Sequence, residues 1–179
     1  MKPISAVNDL LKKHGLNDFK WIPSNNIVVA NWVRMKCQFG CPDYGKGGCC
    51  PPNTPPVAQC REFFSEYGSA VLLHFTIELD KPGDRQEAFR SLNDRLVKAE
   101  RDVFLAGFYK AFLLFVSDCK ICPDCTGDRI NCRDKIRARP SPESMAVDVY
   151  STVRNSGYPI RVLKSYEETM DRYAILLVE

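Results

Sequence analysis

The sequence predicts a mixed α/β fold, with α+β as the neighbouring possibility: a mixed β-sheet with flanking helices and two cysteine-rich metal-binding loops at one edge. Three observations carry this. Segments with apolar residues at helical spacing alternate with short apolar, β-branched runs. The cysteines concentrate in two stretches rich in glycine, proline and charge, about residues 34–60 and 117–139. A chain of 179 residues is long enough to bury one proper core, so residues 1–179 read as a single metal-binding domain.

Taken in order, Ile4, Val7, Leu10 and Leu11 share one face of a short helix that Gly15 ends. Asn26-Ile27-Val28-Val29-Ala30 reads as a strand leading into Trp32 and Val33, after which residues 37–56 are loop, punctuated by proline and glycine. Val57, Cys60, Phe64 and Tyr67 mark one face of a helix stopped by Gly68. Val71 to Leu79 is an apolar strand broken by Pro82-Gly83. Asp84, with Glu87 three residues on, is the N-cap candidate of a long helix running to about Gly107, whose buried stripe is Phe89, Leu92, Leu96, Ala99 and Val103. Phe112 to Val116 has strand length and delivers the chain into Cys119. Ser141-Pro142-Glu143 starts a helix, with proline at its first position, that ends at Gly157. Ile160–Leu163 and Ala174–Val178 are the last strands, the second apolar enough to be central.

A core of this size needs no covalent staples, so the nine cysteines have another purpose. The opening residues show no apolar run resembling a signal peptide, and no stretch approaches the roughly 20 apolar residues of a membrane span. A cytoplasmic, reducing setting is therefore expected, where thiols bind metal or do redox work rather than form disulfides. A net charge of +3 gives no argument for nucleic acid.

Cys119, Cys122, Cys125 and Cys132 form C-x2-C-x2-C-x6-C, in a loop with Pro123 and Gly127. Two consecutive C-x-x-C steps supply the three sulfurs that grip one face of a 4Fe-4S cubane, and a wrapping chain supplies the fourth. Structural zinc sites use two separated C-x2-4-C knuckles instead, which makes zinc the alternative. From Lys120 to Arg139 six basic residues face three acidic ones, an excess that favours the more negative, reduced state of an anionic cluster.

The other cysteine region holds Cys37, Cys41, Cys49, Cys50 and Cys60. Proline follows Cys41 and Cys50, turning the chain away from the sulfur, so Cys37, Cys41 and Cys50 are the ligand candidates. Adjacent side chains in extended backbone point to opposite faces, so Cys49 and Cys50 do not serve the same cluster. Cys60 lies on the inward stripe of its helix and is either a core residue or the fourth ligand. Three ligands alone would leave one iron open to act as a Lewis acid.

Gly40-x4-Gly45-Lys46-Gly47 resembles a phosphate-binding loop only superficially, because glycine replaces the hydroxyl residue that would hold magnesium. Its glycines instead let backbone N–H groups approach sulfur. His14 and His74 read as structural, and Arg137, Arg139, Ser141 and Glu143 as helix capping and ion pairing, with anion binding at the start of that helix as the alternative.

Cys37-x3-Cys41 with Tyr44-Gly45-Lys46, Cys50-Pro51-Pro52-Asn53, the C-x2-C-x2-C-x6-C-R run, and Arg139-Pro140-Ser141-Pro142-Glu143-Ser144 leading to Val147-Asp148-Val149 occur in that order. From about residue 30 onward this combination resembles a family of predicted cysteine-rich metal-binding proteins, domain of unknown function 2284, common in anaerobic bacteria and archaea. The resemblance implies metal binding and an anaerobic setting, and supplies no reaction. The expected function is a protein carrying one or two 4Fe-4S clusters for electron transfer, with a redox partner protein. Its alternatives are an iron-sulfur enzyme with an open-coordination cluster and a zinc-stabilised interaction module.

Overall fold

In a computed structural model, which describes residues 4–78, 85–165 and 168–179, the first helix, α1 (Ile4–Lys13), buries Val7 and Leu11 as its spacing requires, and Gly15 ends it at φ 68°. Strand β1 (Phe19–Pro23) follows, then α2 (Asn31–Gly40), α3 (Val57–Ser65), β2 (Ser69–Ile77), α4 (Arg85–Leu105), β3 (Phe112–Leu114), α5 (Val149–Asn155) and β4 (Met170–Leu177). The strands form one sheet in the order β1-β2-β4-β3, and every pairing is antiparallel. Helices and a sheet share one fold, as expected, in its α+β form.

β2 and β4 are central and pair from Ala70↔Leu177 to Ile77↔Met170. Alternation sends Val71, Leu73, Leu113, Ala174 and Leu176 to one face, against α1 and the Phe89, Leu92, Leu96, Ala99, Val103 stripe of α4. It sends Ala70, Leu72, Leu114, Ile175 and Leu177 to the other face, against Cys60, Phe64 and Val153. Both faces are covered, so these strands read as unbroken apolar runs rather than alternating ones. Among the described residues no helix is long and apolar enough to cross a membrane.

Four expectations change. The strand near residue 26 lies earlier: Phe19–Pro23 pairs with β2 from Phe19↔Leu73 to Pro23↔Ser69, and Pro23 is tolerated because β1 is an edge. Val28 and Val29 brace a different segment, through a single bridge Val29↔Val147, an Asp148 N–H donated to Val28 O at 2.7 Å, and a Val28 N–H donated to Thr152 Oγ1 at 3.0 Å. The chain after Ala30 is helical, so Cys37 sits on α2, not in a loop. That helix buries only Val33, which is why no apolar stripe marks it in the sequence.

The helix expected from Ser141 to Gly157 is two pieces. A 3-10 turn, Glu143–Met145, ends at Ala146 with φ 60°, and α5 restarts with the Asp148 carboxylate accepting from Ser151 N–H at 3.0 Å. The break lets fully buried Val147 reach Val29. Ile160–Leu163 forms no strand; Ile160 and Leu163 pack singly on opposite core faces. The Asp84 cap and Pro82-Gly83 lie outside the described residues. The histidines are structural: His14 Nε2 meets Asp102 at 2.9 Å, and His74 bridges Asp18 at 2.6 Å and Asp171 at 2.9 Å.

Candidate metal centre

The second cysteine loop hangs from a clamped neck. Strand β3 stops at Leu114 because the Phe115 N–H turns to donate to Pro140 O at 2.9 Å, joining the start of the loop to its end. Beneath the neck, Glu100 of α4 is 4 % exposed, and its Oε1 accepts from Leu113 N–H at 2.9 Å and Arg139 Nε at 3.0 Å. Arg139 therefore serves as an ion-pair anchor, and Arg137 pairs with Asp94 and Asp134.

The first loop is pinned against the second. Arg34 of α2 donates to Thr54 Oγ1, Pro55 O and Ser144 O, each at 3.0 Å. Asn53 Nδ2 donates to Gly47 O at 3.2 Å and across to Gly127 O at 2.9 Å. Gly48 N–H donates to Cys125 Sγ at 3.3 Å, a backbone-to-sulfur approach one residue beyond the Gly40 to Gly47 stretch for which the sequence predicts it. A Cβ on Gly48 would stand 3.0 Å from Asp128 O, so Gly48→Ala is expected to push the loops apart and lower the metal content of purified protein, measured by elemental analysis. Wild-type content in that variant would show that loop contact is dispensable.

Packed this way, the thiols fall into two groups. Cys49, Cys119, Cys122, Cys125 and Cys132 line one small, partly open cavity. Cys37, Cys41 and Cys50 line an adjoining cleft of about 660 Å³, and Cys49, Cys119, Cys122 and Cys125 border both. Hydrogen bonding with Cys119, and then burial, hold the Cys49 thiol protonated far above its ordinary range. The hydrogen bond from Cys49 conversely lowers the Cys119 pKa against the opposing effect of burial, with backbone hydrogen bonds from Ile121 and Arg139 adding to it. Burial pushes Cys50 up to about 11, with a Ser144 hydroxyl at 3.6 Å opposing. Burial likewise raises Cys37, against the nearby Arg34 guanidinium.

Cys60 is placed elsewhere. It is fully buried on α3 among Ile22, Phe64 and Leu72, with its thiol 3.5 Å from Pro55 O, and it lines neither chamber. Sequence reasoning assigned Cys49 no site; Cys49 and Cys50 lie in a turn rather than in extended backbone, so alternation does not separate them, and Cys49 borders both chambers while Cys50 lines the cleft.

The donor set suits a thiolate-bound metal group. Five cysteines line one small cavity, a backbone N–H already points at the Cys125 sulfur, and Arg129, which acts electrostatically on Cys49, has a buried Nη1 with no partner, a donor suited to an anionic group. The sulfurs line walls rather than meet at a point: among the described residues no three Cys, His, Asp or Glu side chains converge tightly enough for a single ion. Compared with curated proteins and with solved structures, the chain has no significant match. The family model described as predicted metal-binding protein (DUF2284) matches residues 20–178, which include both cysteine loops and every strand but the first residue of β1, so the chain belongs to that metal-binding family.

Proposed function

We propose that this protein is an iron-sulfur protein holding two 4Fe-4S clusters for electron transfer, one bound by Cys119, Cys122, Cys125 and Cys132, the other by Cys37, Cys41 and Cys50. The observation that carries the reading is the pair of sulfur-lined chambers with a common wall at Cys49 and Cys119. Such clusters supply one-electron oxidation and reduction at potentials tuned by charge, hydrogen bonds to sulfur and exposure. This chain's residues supply those controls. Gly48 N–H is directed at a sulfur, Arg129 and Arg34 place positive charge beside Cys49 and Cys37, and Ser144 donates toward Cys50. Cys41 and Cys125 are exposed, which gives a redox partner protein access to either group.

A second reading has its own support. With Cys60 in the core, the cleft group has three thiols, and a three-thiol cluster leaves one iron open for Lewis-acid chemistry on a substrate. Cys60→Ala is expected to keep full metal content and to lose about 1–2 kcal/mol of stability, the cost of a small void in a packed core. Loss of one cluster in that variant would make Cys60 a ligand and remove the open-iron reading.

The test is the iron, acid-labile sulfide and zinc content of anaerobically purified protein. About eight iron and eight sulfide per chain, with broad absorption near 400 nm, are expected. Zinc without sulfide would replace this reading with a zinc-stabilised module, and protein without metal would reject both.

A further inference from the structure

The chain has nine cysteines, and Cys60 belongs to an apolar core cluster, with its helix neighbour Phe64. The other eight all line one chamber or the other. A 4Fe-4S cluster takes four thiolates, so two clusters take eight. The second loop supplies a complete set in one run, from Cys119 to Cys132. The first loop supplies Cys37, Cys41 and Cys50, one short of a set, and Cys49 is the thiol left over.

Cys49 is not a core cysteine of the Cys60 kind. It is only 7 % exposed, yet it belongs to neither apolar cluster of the core; it lies where the two chambers border each other. A buried thiol among other thiols, with the positive charge of Arg129 acting on it, is placed as a ligand is placed and not as a filler of apolar space.

The backbone allows Cys49 and Cys50 to serve one group. Both lie in the turn that follows Gly47, where Cys50 N–H donates to Gly47 O at 3.1 Å and Asn53 N–H donates to Cys50 O at 2.8 Å. The divergence of neighbouring side chains belongs to extended chain, and the turn removes it. A Cβ on Gly47 would stand 3.2 Å from the Cys50 sulfur, so glycine there leaves room beside that thiol. Two features assign Cys49 to the cleft. The Cys119 to Cys132 run is complete without it, and the peptide bond to Cys50 fixes it beside a cleft ligand. Its hydrogen bond with Cys119 accounts for its bordering the other chamber as well. A thiol protonated beside a thiolate gives up its proton when a metal cation takes the same place.

We infer that Cys49 is the fourth ligand of the cleft cluster, together with Cys37, Cys41 and Cys50. The assignment rests on the iron-sulfur reading and goes beyond it. With four thiolates every iron of the cleft group has a protein ligand, and no position is open for Lewis-acid chemistry on a substrate. Both clusters are then closed, which suits electron transfer and removes the open-iron alternative.

Cyanide, a small ligand for an open iron, is the probe, and the electron paramagnetic resonance of the anaerobically reduced, cluster-loaded protein is the readout. The wild-type spectrum is expected not to change at millimolar cyanide. Cys49→Ala should gain a saturable spectral change, because it opens one iron. In a Cys119→Ser background, which retains only the cleft group, the change should again appear only when Cys49→Ala is added. A cyanide response in wild type would overturn the assignment, as would a Cys49→Ala protein with wild-type iron and no response. A response lost in the Cys119→Ser background, with the cleft group still loaded, would overturn it too by giving Cys49 to the second loop. Should Cys49→Ala shed a cluster, or the double variant hold none, the wild-type titration decides, with unchanged iron in Cys60→Ala excluding the other candidate. Protein that holds zinc, or no cluster, gives no such spectrum in any variant and removes the iron-sulfur reading together with this assignment. A cluster-loaded wild type that responds to cyanide leaves that reading standing and overturns only the role of Cys49.

Discussion

Replacing Cys119 with serine is expected to remove about four iron and four sulfide per chain while leaving the fold in place. Cys119 lies at the junction of the two chambers, hydrogen-bonded with the Cys49 thiol and approached by the backbone of Ile121 and Arg139. Serine keeps the volume and the hydrogen bonds but presents a harder, far less acidic ligand that iron-sulfur clusters rarely accept. The remaining absorbance near 400 nm should be about half of the wild-type value, from the second proposed cluster, at Cys37, Cys41 and Cys50. Far-ultraviolet circular dichroism should not change, because Cys119 contributes to no helix or strand. Iron and sulfide at wild-type levels would remove Cys119 from the ligand set. Loss of both groups together would instead show that the common wall at Cys49 and Cys119 makes them a single cooperative unit.

Glu100→Ala should be strongly destabilising, costing about 3 kcal/mol. One carboxylate oxygen satisfies both the Leu113 N–H and the Arg139 guanidinium, so alanine orphans a buried donor and an inward-facing cation together. The loss lies at the low end of the range for a broken buried pair because the Arg139 side chain is 22 % exposed and water can reach it. For a chain of this size that corresponds to a melting temperature lower by about 6–12 °C. Arg139 closes the neck of the second cysteine loop, so metal should also be released at a lower denaturant concentration than in wild type. Glu100→Gln, which keeps an acceptor for Leu113 but no charge for Arg139, should fall between. A Glu100→Ala protein within about 0.5 kcal/mol of wild type in urea unfolding would mean that the neck is not held by this pair.

Much of the scaffold was legible because its elements obey strong local rules. The Phe89, Leu92, Leu96, Ala99, Val103 stripe repeats at helical spacing over most of a 21-residue helix, and all five are buried. The Ala174 to Val178 run is apolar without interruption, and β4 lies between two neighbours. The misreadings arose where an element's partner is distant in sequence. Val28 and Val29 look like strand residues, and what they pair with is the segment of Val147, more than a hundred residues away. Helix α2 leaves Trp32, Met35 and Phe39 substantially exposed, so hydrophobic periodicity gives it no inward face to detect.

Thiol density and the spacing of three residues between Cys119, Cys122 and Cys125 are properties of the chain alone, because they depend on covalent reach. Which sulfurs share a chamber is a different matter. It depends on Asn53 and Gly48 fastening the two loops through hydrogen bonds between residues 74 and 77 positions apart, on Cys60 being turned into the core, and on Arg85 and Arg172 arriving at the cleft from a helix and a strand. Contacts of that kind arise only once the sheet has packed, since no local propensity carries the position of a partner so far along the chain.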